Sequence, residues 1–167
     1  MLPVPTERLR FRQMREEDWD DMAALLSDPD VMRYYPAPKT RAEAADWIAW
    51  NLANYATHGY GLWLIETLDG AFVGDCGLTW QEVNGVPALE VGYHVRAAFQ
   101  GRGLATEAAA ASRDFARDQL QAAALVAIIH PDNRASERVA QKIGMTRAAD
   151  DLGGRIPVRR VLSMLLD

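Results

Sequence analysis

The chain has 167 residues, 49% of them hydrophobic and 25% charged, as in globular proteins with a buried core. Its net charge of −5 argues against a nucleic-acid-binding protein, because phosphate recognition needs an excess of clustered Lys and Arg. The single cysteine excludes an internal disulfide and a thiolate metal cage, and no apolar run approaches the length of a membrane span. The opening MLPVPTERLR has no signal-peptide pattern. We therefore expect one domain over residues 1–167, in the cytoplasm, with no metal.

The first half of the chain predicts a strand, two helices and a three-stranded meander. Hydrophobic alternation and helical spacing place a strand at 7–14, helices at 16–26 and 41–56, and strands at 60–67, 71–82 and 87–95. Three prolines make the segment 27–40 a loop. Asp69-Gly70 and Asn84-Gly85 favour tight turns, so the three consecutive strands should pair antiparallel.

The second half alternates helices and strands. It predicts a helix at 103–119, a strand at 125–130, a helix from Asn133 with Gly144 as its C-cap, and strands at 145–148 and 156–165. The crossover from residues 87 to 130 should be right-handed and bring two strands parallel. The prediction is an α/β (α+β) fold: a mixed, mostly antiparallel sheet of about six or seven strands flanked by about four helices.

The stretch FQGRGLATEAA, residues 99–109, places two glycines between donor side chains, directly before an alanine-rich helix. The first N–H groups of a helix lack partners, and the helix dipole favours anions there. Gly101 and Gly103 let the backbone curl, while Gln100 and Arg102 add donors. The residues fit either an ordinary tight turn or a pyrophosphate site. They do not form a P-loop or a complete dinucleotide fingerprint.

Two segments carry a resemblance to a known family. Gln100-Gly-Arg-Gly-Leu-Ala105 is similar to the Gln/Arg-x-x-Gly-x-Gly/Ala signature of the GNAT superfamily of N-acetyltransferases. HPDNRASERVAQKIGM, residues 130–145, resembles that family's second coenzyme-binding stretch, and its Asn133 and Ser136 resemble the RimJ/RimL subgroup of ribosomal-protein N-terminal acetyltransferases. TERLRFRQMREED and ALEVGYHV fit the same subgroup, so the resemblance covers nearly the whole chain. Met145 departs from the family's usual Phe, which should alter packing and not chemistry.

The resemblance implies that acetyl-CoA binds where the sheet splays, between the strand ending at Val95 and the one ending at His130. The pantetheine arm would follow Val95, and a strand amide at or beside Val95 would hold the oxyanion of the reaction. Asn133 would bind the same arm besides capping its helix, and Ser136 would donate to the departing thiolate. The pyrophosphate would lie on the glycine turn, formed by Gln100, Gly101, Arg102, Gly103, Leu104, Ala105 and Thr106.

The predicted strand at 87–95 carries candidates for the general base of the reaction. Alternation places Glu90, Gly92 and His94 on one face, and the resemblance implies that an acid on this strand takes a proton from the incoming amine. Glu90 is the candidate base; the other interpretation is an exposed or ion-paired side chain. His94 and His130 are rival bases, because histidine titrates near neutral pH.

Five further residues carry expectations that are less specific. Cys76 should be buried and structural, since the sequence shows no partner arrangement for a nucleophile. Trp47 and Trp50 should pack in the core. Tyr34 and Tyr35 in the proline-rich loop are candidates for lining the acceptor mouth.

The resemblance implies an acetyl-CoA-dependent N-acetyltransferase in which a primary amine attacks the thioester directly. One plausible carboxylate base favours an acceptor of low pKa, such as a protein or peptide α-amine. Two alternatives stay open. One is a small-molecule N-acetyltransferase for an amino acid, polyamine, antibiotic or toxin; the other is a non-catalytic acyl-CoA-binding regulator. The expected partner is the amine acceptor, with no nucleic acid and no membrane, and the chain is a monomer or a homodimer.

Overall fold

The computed structural model describes residues 1–167 and contains a seven-stranded sheet with helices on both faces. The strands are β1 (Leu9–Arg12), β2 (Leu62–Thr67), β3 (Phe72–Val83), β4 (Val86–Val95), β5 (Ala124–Ile129), β6 (Thr146–Arg147) and β7 (Arg160–Leu165). The helices are α1 (Trp19–Ser27), α2 (Arg41–His58), α3 (Leu104–Asp118) and α4 (Arg134–Lys142). No helix combines the length and apolar character needed to cross a membrane.

The sheet order is β1-β2-β3-β4-β5-β7-β6, and every neighbouring pair is antiparallel except β4 and β5. Successive residues of β3 show which helix covers which face. The Asp75 side chain accepts a hydrogen bond from Trp47 of α2, whereas Cys76 contacts Ser112 of α3. Helix α1 packs on α2, and α4 packs on α3. The predicted fold class is therefore confirmed.

The first and last strands are shorter than the hydrophobic pattern predicted. β1 begins only at Leu9, because the Thr6 hydroxyl accepts a hydrogen bond from the Leu9 backbone N–H and turns the chain there. β7 begins at Arg160 and not at 156, because Asp151 and Arg159 pair through their backbones and side chains in the preceding loop. Alternation of apolar residues continues into both turns, so the sequence pattern alone overestimates strand length.

β4 and β5 are joined at only one residue pair, Glu90 and Val126. Beyond that pair, β4 continues to Val95 and β5 to Ile129 without pairing with each other, so the sheet opens between them. The crossover through α3 makes this the one parallel junction of the sheet. The splay implied by the resemblance is present at the expected place.

Candidate active site

The divergence of β4 and β5 forms one cleft of about 950 Å³, a volume at the upper end of small-ligand sites. The residues predicted from the sequence to act in catalysis or coenzyme binding line this cleft, with one exception. They are Glu90, Val95, Gln100, Gly101, Gly103, Leu104, Ala105, Thr106, Asn133 and Ser136. The exception is Arg102, whose guanidinium lies 5.6 Å from the centre of the Phe99 ring. Its predicted contribution of a side-chain donor to the cleft therefore gains no support from the geometry.

The glycine turn is open to a ligand at the start of α3. Gly101 and Gly103 have φ values of +76° and +78°, in the left-handed region that glycine adopts without strain. A Cβ atom on Gly101 would meet nothing within 4 Å, and Gly103 caps α3 without a side chain bonded over the first N–H groups. These amides and the helix dipole together favour an anion at this surface.

A charged brace holds the turn from behind. The Arg8 guanidinium lies 2.7 Å from a Glu107 carboxylate oxygen and also donates to the backbone carbonyl of Arg102. Thr6 and the Arg8 backbone N–H donate to the other oxygen of Glu107. Burial raises the pKa of Glu107, but these donors outweigh it and leave that pKa below its usual value. The brace fixes the first turn of α3 against the N-terminal segment.

The backbone of β4 directs polar groups into the splay. The Arg96 N–H donates to the Val73 carbonyl, so Arg96 is bonded to β3 and, by alternation, the polar groups of Val95 point the other way. The Val95 carbonyl accepts a hydrogen bond from the Gln100 side chain at 2.9 Å. This arrangement places the backbone groups of Val95 where the pantetheine arm was expected.

Asn133 and Ser136 are held together at the start of α4. The Asn133 side chain accepts a hydrogen bond from the Ser136 backbone N–H at 3.1 Å, as an N-cap. Tyr93 of β4 donates to the Ser136 carbonyl at 2.7 Å and accepts from the Ser136 hydroxyl at 3.1 Å. Tyr93 was missed by the sequence analysis, because only the fold brings β4 beside α4. By alternation, it lies on the face of β4 opposite Glu90.

Glu90 faces the cleft from the point where β4 and β5 part. Burial raises the pKa of its carboxyl to about 7, although Arg159, His94 and the backbone amide of Ile128 partly offset this effect. Glu90, Gly92 and His94 all border the cleft, and a Cβ atom on Gly92 would lie 3.5 Å from a Glu90 carboxylate oxygen, as alternation along one face of the strand predicts. A carboxyl with a pKa near neutrality can exchange protons at physiological pH.

His94 is the centre of a hydrogen-bonded chain in which His94 and Asp75 are buried, whereas Tyr35 is exposed. Its Nδ1 lies 2.7 Å from the carboxylate of the fully buried Asp75, and its Nε2 lies 2.6 Å from the Tyr35 hydroxyl. Trp47 donates from its indole N–H to the other oxygen of Asp75 at 3.0 Å. Burial lowers the pKa of His94, but the charges of Asp75 and Glu90 outweigh it and raise that pKa above its usual value.

The structure confirms part of what was expected of the aromatic side chains. Trp47 and Trp50 were predicted to pack in the core: Trp47 packs against it and also borders the cleft, whereas Trp50 borders the cleft and is 37% exposed. Tyr34 and Tyr35 do line the cleft. Asp75 was missed, because only the register between β3 and β4 sets it opposite His94.

The remaining candidates lie at the edge of the cleft or behind it. His130 is half-buried, with its Nδ1 accepting from the Asp132 backbone N–H at 3.0 Å and its ring 5.4 Å from that of Tyr34. Cys76 is fully buried, and burial raises the pKa of its thiol to about 12, which makes a thiolate nucleophile unfavourable. No three His, Cys, Asp or Glu side chains are grouped to hold a metal ion.

Comparison with known proteins decides the family. The sequence profile of the acetyltransferase (GNAT) domain matches residues 8–146. The chain belongs to the GNAT acetyltransferase family. The Bacillus subtilis protein YkkB is 39% identical over 142 residues, covering 84% of this chain and 83% of YkkB. An acetyltransferase structure from Agrobacterium tumefaciens is 27% identical with a TM-score of 0.85, covering 98% of this chain and 94% of that one.

RimL, a ribosomal L7/L12 α-N-protein acetyltransferase solved with coenzyme A, shares the fold with a TM-score of 0.79. The two sequences are 18% identical, and the matched region covers 100% of this chain and 99% of RimL. Because the identity is this low, the likeness concerns the fold alone. Membership of the family makes the chain an acetyl-CoA-dependent acyltransferase acting on an amine acceptor. The chain's own residues fit this co-substrate, because the open glycine turn and the splay lie in one continuous cleft.

Proposed function

We propose that the protein acetylates a primary amine of low pKa, most simply the α-amine of a peptide or protein, and that Glu90 is the base. The observation that carries this proposal is the position of Glu90. Its carboxyl lies in the cleft, on the one residue of β4 that pairs with β5, and its pKa is raised to about 7. A base of this strength suits an amine that is itself only weakly basic.

The preference for one class of amine follows from the difference between the pKa of the acceptor amine and that of Glu90. A peptide α-amine has a pKa near 8, so transfer of its proton to a carboxylate of pKa about 7 costs roughly 1.4 kcal/mol. A lysine ε-amine has a pKa near 10.4, and the same transfer costs roughly 4.6 kcal/mol. The same base would therefore deprotonate an α-amine at a small cost and a lysine side chain at a large one.

The chain's residues divide the reaction between the two faces of β4. Acetyl-CoA supplies the acetyl group as a thioester. On one face, Glu90 takes a proton from the amine, and the aromatic side chains of Tyr35 and Trp47 limit access of water. On the other face, Tyr93 holds the hydroxyl of Ser136, which must turn from Tyr93 to donate to a thiolate. A thiol of pKa about 8.5 leaves readily, so this donor contributes little. Holding both substrates in line supplies most of the rate enhancement.

An acceptor screen tests the proposal. A peptide with a free N-terminal alanine and no lysine is compared with the same peptide carrying an acetylated N-terminus and one internal lysine, and coenzyme A release is measured. We expect kcat/KM to be at least about tenfold higher for the free α-amine. A preference for the lysine peptide would overturn the proposal.

The same screen separates the alternatives. Polyamines, free amino acids and aminoglycosides are included as acceptors, and a clear preference for one of them would indicate a small-molecule enzyme. Binding of acetyl-CoA without thiol release in the presence of any amine would indicate a non-catalytic acyl-CoA-binding regulator.

A further inference from the structure

The hydrogen-bonded chain of Trp47, Asp75, His94 and Tyr35 determines which of its atoms can accept a hydrogen bond from a ligand in the cleft. An ionised Asp75 can only accept, and the indole of Trp47 occupies one of its oxygens, so Nδ1 of His94 must carry a hydrogen toward the other. When His94 is neutral, its Nε2 is then an acceptor and the Tyr35 hydroxyl donates to it. The lone pairs of the Tyr35 oxygen are left for the cleft.

Glu90 and Tyr35 act in the same part of the cleft. Both side chains border the cleft, and burial, followed by the charges of Glu90 and Asp75, raises the pKa of the Tyr35 hydroxyl well above its usual value. Between Glu90 and His94 the face of β4 carries only Gly92, whose cross-strand partner is Gly77. β3 and β4 therefore place no side chain between the carboxylate and the Tyr35–His94 pair, and the Leu62 side chain of β2 lies beside Gly92.

We infer that the Tyr35 hydroxyl, fixed by the His94–Asp75 pair, is a second hydrogen-bond acceptor for the ammonium group that Glu90 deprotonates. This inference deepens the proposed function and rests on the role given there to Glu90. An alkylammonium group carries three N–H donors, so it can bond to Glu90 and to Tyr35 at the same time. Tyr35 is thus a determinant of specificity for a free primary amine.

Protonation of His94 reverses the direction of the hydrogen bond between His94 and the Tyr35 hydroxyl. A charged His94 donates from both nitrogens, so the Tyr35 oxygen becomes the acceptor of Nε2–H and its own hydrogen turns to the cleft. The charged or titratable groups around His94 are Asp75 on β3, Glu90 on β4, and Tyr35 and Lys39 on the loop before α2. Lys39 opposes the charge on His94, whereas Asp75 and Glu90 favour it. Acceptor binding should therefore weaken as the pH falls.

The test uses n-propylammonium as the probe and tetramethylammonium as a matched cation that has no N–H donor. Binding is followed by tryptophan fluorescence in the wild type, in Tyr35→Phe and in Tyr60→Phe. Tyr60 also engages one hydrogen bond through its hydroxyl, from the Trp80 indole N–H, but it lies outside the cleft. Acetyl-CoA affinity is measured in all three proteins to detect general damage.

We expect Tyr35→Phe to weaken n-propylammonium binding by about tenfold or more, because a hydrogen bond to a charged group is lost. Tyr60→Phe should bind it like the wild type, and acetyl-CoA affinity should be unchanged in both variants. As the pH falls through the range in which His94 takes up its proton, binding should fall more steeply in the wild type than in Tyr35→Phe, which no longer couples His94 to the ligand.

Three results would overturn the inference. They are an undetectable affinity of the wild type for n-propylammonium, equal affinity of the wild type for tetramethylammonium, and an unaltered affinity in Tyr35→Phe. Equal affinity for the two cations would indicate an aromatic cage acting through cation–π attraction. Failure of the proposed function gives a different pattern: the ammonium probe binds and responds to Tyr35→Phe, but free α-amine peptides are not acetylated preferentially.

Discussion

Replacing Glu90 by glutamine should stabilise the folded protein at neutral pH and leave its stability near pH 4.5 unchanged. Burial raises the pKa of Glu90 in the folded protein to about 7, from the ordinary value of 4.5 that it has in the unfolded chain. Between these values the unfolded chain is ionised and the folded protein is protonated, so the wild type loses stability as the pH rises. Glutamine is neutral in both states, so the variant escapes this loss.

The magnitude follows from the two pKa values. The interval from 4.5 to about 7 corresponds to about 3 kcal/mol of unfolding free energy, reached in full above the folded-state value. Glu90 borders an open cleft, and solvent screening reduces the effect. We therefore expect the free energy of unfolding of Glu90→Gln to be about 1 to 3 kcal/mol higher than that of the wild type at about pH 8.

Urea unfolding monitored by tryptophan fluorescence measures this difference at several pH values between about 4.5 and 8. Glu82→Gln is the matched control, since it makes the same chemical change at an exposed position on the neighbouring strand. The advantage of Glu90→Gln should grow with pH, while that of Glu82→Gln should not. A difference that is constant with pH, or that shrinks as the pH rises, would refute the reasoning.

Three further variants, the first with a matched control, test separate parts of the site. Gly101→Ala and Gly59→Ala both place a side chain at positive φ with no steric neighbour, so each should lower the free energy of unfolding by about 1 kcal/mol. Only Gly101→Ala should also diminish the rise in Tm caused by acetyl-CoA. Equal responses to acetyl-CoA would place the phosphate site elsewhere. Asp75→Asn should lower the pKa of His94, because burial then acts without the Asp75 carboxylate; an NMR titration showing no change would contradict this. Asn133→Ala should lose about 1 kcal/mol of stability on urea unfolding through the missing N-cap, and it should weaken acetyl-CoA binding; unchanged affinity would remove its predicted role.

The sequence located the parts of the site that depend on local structure. Alternation along β4 is enough to put Glu90, Gly92 and His94 on one face, and the spacing of glycines before an alanine-rich helix marks the open turn. The N-cap at Asn133 is likewise a local feature, formed with a residue three positions along the chain. Patterns of this kind are decided within a few residues, so one sequence carries them.

The parts that depend on long-range register could not be predicted. Asp75 and His94 are 19 positions apart and meet only because the hairpin between β3 and β4 fixes their pairing. Trp47 has the apolar character of a core residue, yet its indole N–H reaches the buried carboxylate from α2. The Arg102 guanidinium lies over the Phe99 ring, a contact for which the motif itself gives no signal.

The central claim is that Glu90 deprotonates a low-pKa amine, and the pH dependence of kcat/KM tests it most directly. With an alanine-initiated peptide as acceptor, kcat/KM of the wild type should rise as Glu90 ionises, through a pKa of about 7, and then level off. Glu90→Gln should be much slower near pH 7 and should recover most of its activity by about pH 9, as the amine of pKa about 8 loses its proton unaided. A variant whose profile runs parallel to that of the wild type, with no recovery at alkaline pH, would contradict the account.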